Sequence, residues 1–199
     1  MINYNDHPNY SILMKFVEDQ KKENLNLACD FFVAKNNEIV ALICDNFRDI
    51  YDVNDIDVNI SAIMIEDGKI KQVGKLRSVM NKSQDVSELV SISVGNESSA
   101  RLGVGSHMLS MFEQAVMNYS IRHINGMFVP MSEKIATDEQ VARFYTKNGY
   151  GLCAFEDYIL LYKNFDGAYN AKPIMPNEEY ILTDDYKYYT TYGFDVLSK

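Results

Sequence analysis

A chain of 199 residues with 47% hydrophobic and 24% charged side chains carries enough apolar material to bury a domain-sized core. Its formal charge of −9 speaks against nucleic acid as the main partner, since phosphate binding needs clustered Lys and Arg, and no stretch is apolar for the length of a membrane span. The polar start Met1-Ile-Asn-Tyr-Asn-Asp is no secretory signal, and Cys29, Cys44 and Cys153, odd in number and without metal-ligand spacing, read as buried free thiols in a reducing cytoplasm.

In chain order, residues 9–26 predict an amphipathic helix, with Ile12, Leu13, Phe16 and Val17 on one face and Glu18, Asp19, Lys21, Lys22 and Glu23 on the other. That stripe reads as core contact or as the wall of an acceptor cleft. Phe31 to Ala34, the pair Asn36-Asn37, and Ile39 to Ile43 read as a hairpin about an Asn turn. Ile60 to Ile65, the Asp67-Gly68 turn, and Ile70 to Val73 give a second and stronger hairpin signal. Between them Asp45 to Asp57 holds five aspartates and a single Arg48, either a solvated acidic loop or a lip that attracts a cation. Met80 to Val86 reads as a polar linker.

The central stretch runs from Glu88 to Met117. Leu89, Val90, Ile92 and Val94 predict a largely buried strand, which Gly95, Asn96, Ser98 and Ser99 then break. Gly103-Val-Gly-Ser106 leads directly into Met108, Leu109, Met111, Phe112, Ala115 and Val116 at helical spacing. The order is strand, glycine loop, helix N-terminus. Unpaired amides and the helix dipole at such a start favour an anion, and phosphate is the natural guest. A Walker loop would need Lys before Ser106, and a dinucleotide fingerprint would need a third glycine where Met108 stands. Neither fits.

Farther on, Ile121 to Met131 predicts a strand in which Gly126 marks a bulge or a close backbone approach. Thr137-Asp-Glu-Gln140 has the form of a capping box and Asn148-Gly149 of a helix stop, so a helix carrying Phe144 and Tyr145 is bounded at both ends. Tyr158 to Tyr162 reads as a closing strand. From about Asn164 onward the chain becomes acidic and rich in tyrosine, too aromatic for a free tail, and it packs on the domain, lines an acceptor site or forms a dimer contact.

Two of these segments together resemble the GCN5-related N-acetyltransferase (GNAT) family. Gly103 and Gly105 match the glycines of its loop Arg/Gln-x-x-Gly-x-Gly/Ala, whose leading position falls on Ala100 with Arg101 one place later. Asp138-Glu-Gln-Val-Ala-Arg-Phe-Tyr-Thr-Lys-Asn-Gly-Tyr150 resembles the family's Asn-x-x-Ala-x-x-Phe-Tyr-x-Lys-x-Gly-Phe, with Phe144, Tyr145, Lys147 and Gly149 matching. The resemblance covers roughly residues 88 to 163. It implies an α/β (α+β) acyl-CoA N-acyltransferase fold: a mixed, mostly antiparallel sheet flanked by helices. It further implies a domain over residues 1–163 with residues 164–199 as an extension. Two strands should splay, and the pantetheine arm of acetyl-coenzyme A should insert between them.

As the resemblance implies, backbone N–H groups of Arg101, Leu102, Gly103, Val104, Gly105 and Ser106 hold the cofactor pyrophosphate, with Phe144 and Lys147 alongside. A backbone N–H within Ile92, Ser93 and Val94 polarises the thioester carbonyl, and Tyr145 protonates the leaving thiolate. A packing aromatic is the other reading of Tyr145. The base that takes the amine proton is Glu88 or Glu97, each equally readable as a solvated surface charge. His107 and His123 read as packing or surface histidines, His107 also as a phosphate contact, and no metal is implied. The expected reaction is acetyl transfer to a primary amine of a small molecule or peptide, for which the negative charge allows a cationic acceptor. Two rivals stand beside it: a catalytically inactive binding or assembly protein on the same fold, and an acetyltransferase acting on charged tRNA, which should show a basic face.

Overall fold

The computed structural model describes residues 4–24, 26–48, 55–95, 101–128, 138–154 and 159–165. A 3-10 turn at Tyr4–Asp6 precedes α1 (Tyr10–Glu23), followed by β1 (Ala28–Val33), β2 (Ile39–Arg48), β3 (Asp55–Glu66), β4 (Lys69–Asn81) and β5 (Val86–Val94). Then come α2 (Val104–Asn118), β6 (His123–Phe128), α3 (Asp138–Lys147), β7 (Gly151–Ala154) and β8 (Ile159–Asn164). The eight strands form one sheet in the order β1-β2-β3-β4-β5-β6-β8-β7, antiparallel throughout except where β5 and β6 run parallel. A parallel pair needs a crossover, and α2 supplies it. The mixed, mostly antiparallel sheet with flanking helices is the expected one.

Alternation on β2 and β3 divides the apolar residues between the two faces. Val40, Leu42 and Cys44 join Ile56, Val58, Ile60, Ala62 and Met64 beneath α2, in a core that also takes in Ala142 and Tyr145 of α3. Ile39, Ala41, Ile43 and Ile63 turn to the other face, where Leu13 and Val17 of α1 cover them. The α1 stripe is narrower than expected. Ile12 is 51% exposed, because Leu13 and Val17, one turn apart, set the buried line and Ile12 lies about 100° off it. The helix is also shorter than residues 9–26.

Both hairpins are present, with longer strands than their apolar runs indicated. The two ends of the acidic segment 45–57 are strand: β2 runs to Arg48 and β3 starts at Asp55, paired Arg48↔Ile56. The expected linker is instead the end of β4 and a tight turn at residues 82–85, with Met80 fully buried. The turn is stapled to the start of β6. Asp85, at φ +57°, accepts the Arg122 backbone N–H at 2.8 Å and pairs with its guanidinium.

Gly126 is a close approach and carries no bulge: it pairs with Leu89, and a Cβ there would lie 3.2 Å from the Leu89 side chain. The strand β7 has no counterpart in the sequence reading, its four residues being too few for a pattern. Tyr158, Thr137 and residues 166–199 lie outside the described residues, as does the side chain of Cys153. Cys44 is buried as expected and burial pushes its thiol up to about 12, whereas Cys29 is only half-buried; neither is in a disulfide among the described residues. Phe165, one residue past β8, still donates its N–H to the Arg122 carbonyl and packs on the core. No helix among the described residues is long and apolar enough to cross a membrane.

Candidate active site

The site grows from a defect in the central strand. Along β4 and β5 the register runs Arg77↔Ser91 and then Ser78↔Leu89, so Val90 is an extra residue. The bulge turns Val90 outward, 44% exposed, which corrects the expectation that it is buried with Leu89. Ile92 and Val94 remain partly buried against the α2 core, whereas Ser91 and Ser93 face solvent.

At the same point the neighbouring strand leaves. Pairing of β5 with β6 begins at Val86↔His123 and ends at Leu89↔Gly126, although β6 continues along β8 as far as Phe128↔Ile159. Gly95 donates its N–H to the Val73 carbonyl at 2.8 Å, so the amides of Ser93 and Ser91, at every second residue, turn toward β4 as well. The amides of Ile92 and Val94 turn the other way, onto the edge that β6 has vacated. Of the three residues expected to offer an oxyanion donor, two aim at the gap and Ser93 aims at the sheet.

Above this edge begins α2. The chain reaches it through two left-handed residues, Arg101 at φ +73° and Gly103 at φ +95°, the latter at the N-cap without any side-chain cap. The first intrahelical bond is His107 N–H to the Gly103 carbonyl at 3.1 Å, which leaves the amides of Val104, Gly105 and Ser106 at the open end. Three contacts anchor the loop. The Lys35 N–H donates to the Leu102 carbonyl at 3.3 Å, and Phe32 stacks on His107 with centroids 3.8 Å apart. Gly74 of β4 lies so close under α2 that a Cβ there would stand 2.9 Å from both Val104 and Met108. Gly74 escaped the sequence reading because its role is a long-range contact without a local pattern. Desolvation against Phe32 lowers the His107 pKa, against the opposing pull of Asp30, and the residue is at once stacked on that ring and exposed at the surface.

The second motif is seated on the first. Phe144 lies against Gly105, where a Cβ would meet its ring at 3.0 Å, and Val94 stands 3.4 Å from the same point. Only hydrogen at Gly105 lets α3, α2 and β5 converge this tightly. Tyr145 is 5% exposed, edge-on to Phe144 with centroids 5.1 Å apart, and burial pushes its phenol up to about 12. The helix ends in a Schellman turn. Tyr150 N–H reaches back to the Tyr145 carbonyl at 3.1 Å, Gly149 N–H to Thr146 at 3.0 Å, and Gly149 takes φ +82°. That turn brings Tyr150 onto Tyr145, centroids 5.8 Å apart, so the spacing Phe-Tyr-x-x-x-Gly-Tyr is a packing unit.

The remaining candidates fall as follows. Glu88 is exposed on the face of β5 away from α2, beside the last residue that pairs with β6. Lys147 is exposed on the last turn of α3. Glu97 and Ala100 lie outside the described residues. His123 bonds the Asn164 side chain at 2.9 Å at the far end of β6, away from the gap.

No family model and no curated protein matches the chain. Solved structures do. The GNAT domain of PAT from S. lividans aligns with TM-score 0.51 at 12% identity, over 69% of this chain and 97% of that one. PaiA N-acetyltransferase from Thermoplasma acidophilum, in complex with coenzyme A, aligns with TM-score 0.44 at 14% identity, over 55% of this chain and 61% of that one. A Bacillus subtilis acetyltransferase, also in complex with coenzyme A, aligns with TM-score 0.40 at 16% identity, over 54% and 77%. The mixed, mostly antiparallel sheet flanked by helices aligns along nearly the whole of the solved GNAT domain, and the acyl-CoA N-acyltransferase fold of the GNAT family is the fold of this chain.

Proposed function

We propose that the chain is an N-acetyltransferase that moves acetyl from acetyl-coenzyme A to a primary amine. The observation that carries this reading is the convergence at Gly105: two motifs almost forty residues apart in sequence meet within van der Waals contact, beside a strand edge whose Ile92 and Val94 amides have no strand partner among the described residues. An anion at the α2 start gains the amides of Val104 to Ser106, which have no partner within the helix, and the helix dipole. Arg101 is exposed in the same loop and adds a positive charge. A pantetheine arm running from there along β5 finds the amides of Ile92 and Val94, which polarise a thioester carbonyl and stabilise the oxyanion that forms on it.

In the reaction the amine nitrogen bonds to the thioester carbon, the C–S bond breaks, the amine loses a proton and the sulfur gains one. Glu88, on the open face beside the gap, takes the amine proton directly or through water, and Tyr145 donates to the sulfur. A phenol near 12 remains protonated at any physiological pH. Full transfer from this buried phenol to a thiolate whose thiol has an ordinary pKa of about 8.5 is uphill by roughly 5 kcal/mol, so Tyr145 acts first as a hydrogen-bond donor to developing charge. The acidic chain suits a cationic acceptor through steering. On this reading the domain runs through β8 to Phe165, and the acidic, tyrosine-rich sequence after it is an extension.

Calorimetry with coenzyme A and acetyl-coenzyme A, followed by thiol release over an amine panel, tests the reading. Micromolar binding with amine-dependent thiol release is expected, and Tyr145→Phe should cut kcat by about 10- to 100-fold at nearly unchanged cofactor affinity. Binding without turnover on any amine would favour the inactive binding protein, and no binding would sink both.

A further inference from the structure

Behind Tyr145 lies a charged pair that the proposed chemistry does not use. Lys163 of β8 and Glu113 of α2 form an ion pair at 2.7 Å, with their side chains only 18% and 16% exposed. The same Lys163 Nζ donates to the Asn148 carbonyl at 2.9 Å and sits 5.1 Å from the centroid of the Tyr150 ring. Asn148 is the last residue before the left-handed Gly149, so the lysine caps the C-terminal end of α3, where its charge suits the helix dipole. Tyr150 is 3% exposed, and its hydroxyl is enclosed without a partner at full hydrogen-bond geometry among the described residues. Burial, and after it the charge of Glu113, holds that hydroxyl well above its usual pKa.

From this pair a continuous line of rings leads to the cofactor loop. Tyr150 meets Tyr145 edge-on at 5.8 Å, Tyr145 meets Phe144 edge-on at 5.1 Å, and Phe144 closes on Gly105. Both ring–ring contacts are of the favoured edge-to-face kind. The base of the line is therefore electrostatic and its tip touches the α2 N-terminus. A strong interaction at partial burial has one arrangement, which is what a catalytic phenol needs from its support.

We propose that Glu113 and Lys163 are positioning residues, which through Tyr150 lock the C-terminal end of α3 and so hold Tyr145 in its enclosed place beside the cofactor loop. The assignment of a use to Tyr145 rests on the acetyltransferase reading; the locking itself does not. Removing either charge frees α3 at its end, admits water to Tyr145 and lets its phenol ionise nearer to 10.

The test uses the full chain with Cζ-labelled tyrosine, the Tyr145 resonance being assigned by Tyr145→Phe. With folding checked by far-UV circular dichroism at every pH, and only points at which the chain is still folded counted, the native resonance should stay protonated up to about pH 10.5, whereas in folded Glu113→Gln and Lys163→Met its titration should fall by about one unit or more. Lys163→Arg should restore the native titration, since a guanidinium keeps both the ion pair and the cap. In an acetyltransferase assay the two charge-removing variants should lose about 10-fold in kcat with KM for acetyl-coenzyme A within about twofold. A lower melting temperature with an unmoved Tyr145 titration would overturn the proposal, because the pair would then be structural only. If Lys163→Met does not fold, Glu113→Gln, which removes charge at constant size, decides by the same resonance. Full activity in Tyr145→Phe would instead overturn the proton-donor reading and leave the titration result to judge the locking by itself.

Discussion

Gly103 and Gly105 sit two residues apart, yet they need glycine for different reasons, and substitution can separate them. At Gly103 the added Cβ would meet nothing closer than His107 at 3.7 Å, so the demand is the backbone at φ +95°. Alanine there costs about 1–2 kcal/mol whatever its neighbours do. At Gly105 the backbone is ordinary helix and the demand is space, since a Cβ lands 3.0 Å from the Phe144 ring. Valine there should overpack by about 1–3 kcal/mol, push Phe144 off the loop and weaken coenzyme A binding by about 10-fold or more. A second substitution, Phe144→Leu, should recover part of the Gly105→Val loss and none of the Gly103→Ala loss. Calorimetric titration of the four variants checks this. Equal recovery in both backgrounds would mean that the contact at Gly105 is not what that glycine is for.

Among the elements, α1 shows how far a periodic pattern can be trusted. Leu13 and Val17 are 0% and 1% exposed, Ile12 51%, though all three were expected on one apolar face. In urea unfolding Leu13→Ala should cost about 3 kcal/mol and Ile12→Ala no more than about 0.5 kcal/mol. Equal losses would place α1 in a different rotation on the sheet. The helix existed in the sequence because apolar residues recurred at its period; its rotation did not, because a stripe four residues wide has no information on which line meets the sheet. The same division holds for the site. The glycine loop and the Phe144-Tyr145 helix were legible, each being a local run of residues with local geometry. The Val90 bulge was not, since an extra residue in one strand is defined only against its partner β4, and Val90 reads as one more apolar residue in an apolar run. The β7 strand, Gly74 under α2 and the Glu113–Lys163 pair were hidden for the same reason: they are relations between distant segments.

For the whole molecule, the ionisable groups in the core decide on which side of neutrality it is fragile. Burial holds Cys44 and Tyr145 at about 12 and Tyr150 higher than its ordinary value, all three in the folded state. Unfolded, a thiol releases its proton from about 9 and a phenol from about 10. Above those values the unfolded chain binds fewer protons than the folded one, so stability falls as pH rises. The contribution of each group is complete below its unfolded pKa and is lost between that value and the folded one. By about pH 11 the loss is roughly 2–3 kcal/mol from Cys44 and about 1 kcal/mol from Tyr145, upper figures because such groups relax toward water, and Tyr150 adds in the same direction. That sum is a large share of the stability of an ordinary domain. His107 works in the opposite direction and more weakly: held below 6.5 in the fold, it withdraws its contribution as pH falls past that value. Melting temperature followed from pH 5 to about 11.5 should therefore show a plateau near neutrality, a shallow decline on the acid side and a steep one beginning near pH 9. Cys44→Ala should move the start of the alkaline decline up by about one unit, to where the tyrosines begin. An alkaline limb that begins at the same pH and with the same slope in that variant would mean that Cys44 is open to water in the folded protein, and that the β2 face under α2 is looser than its packing indicates.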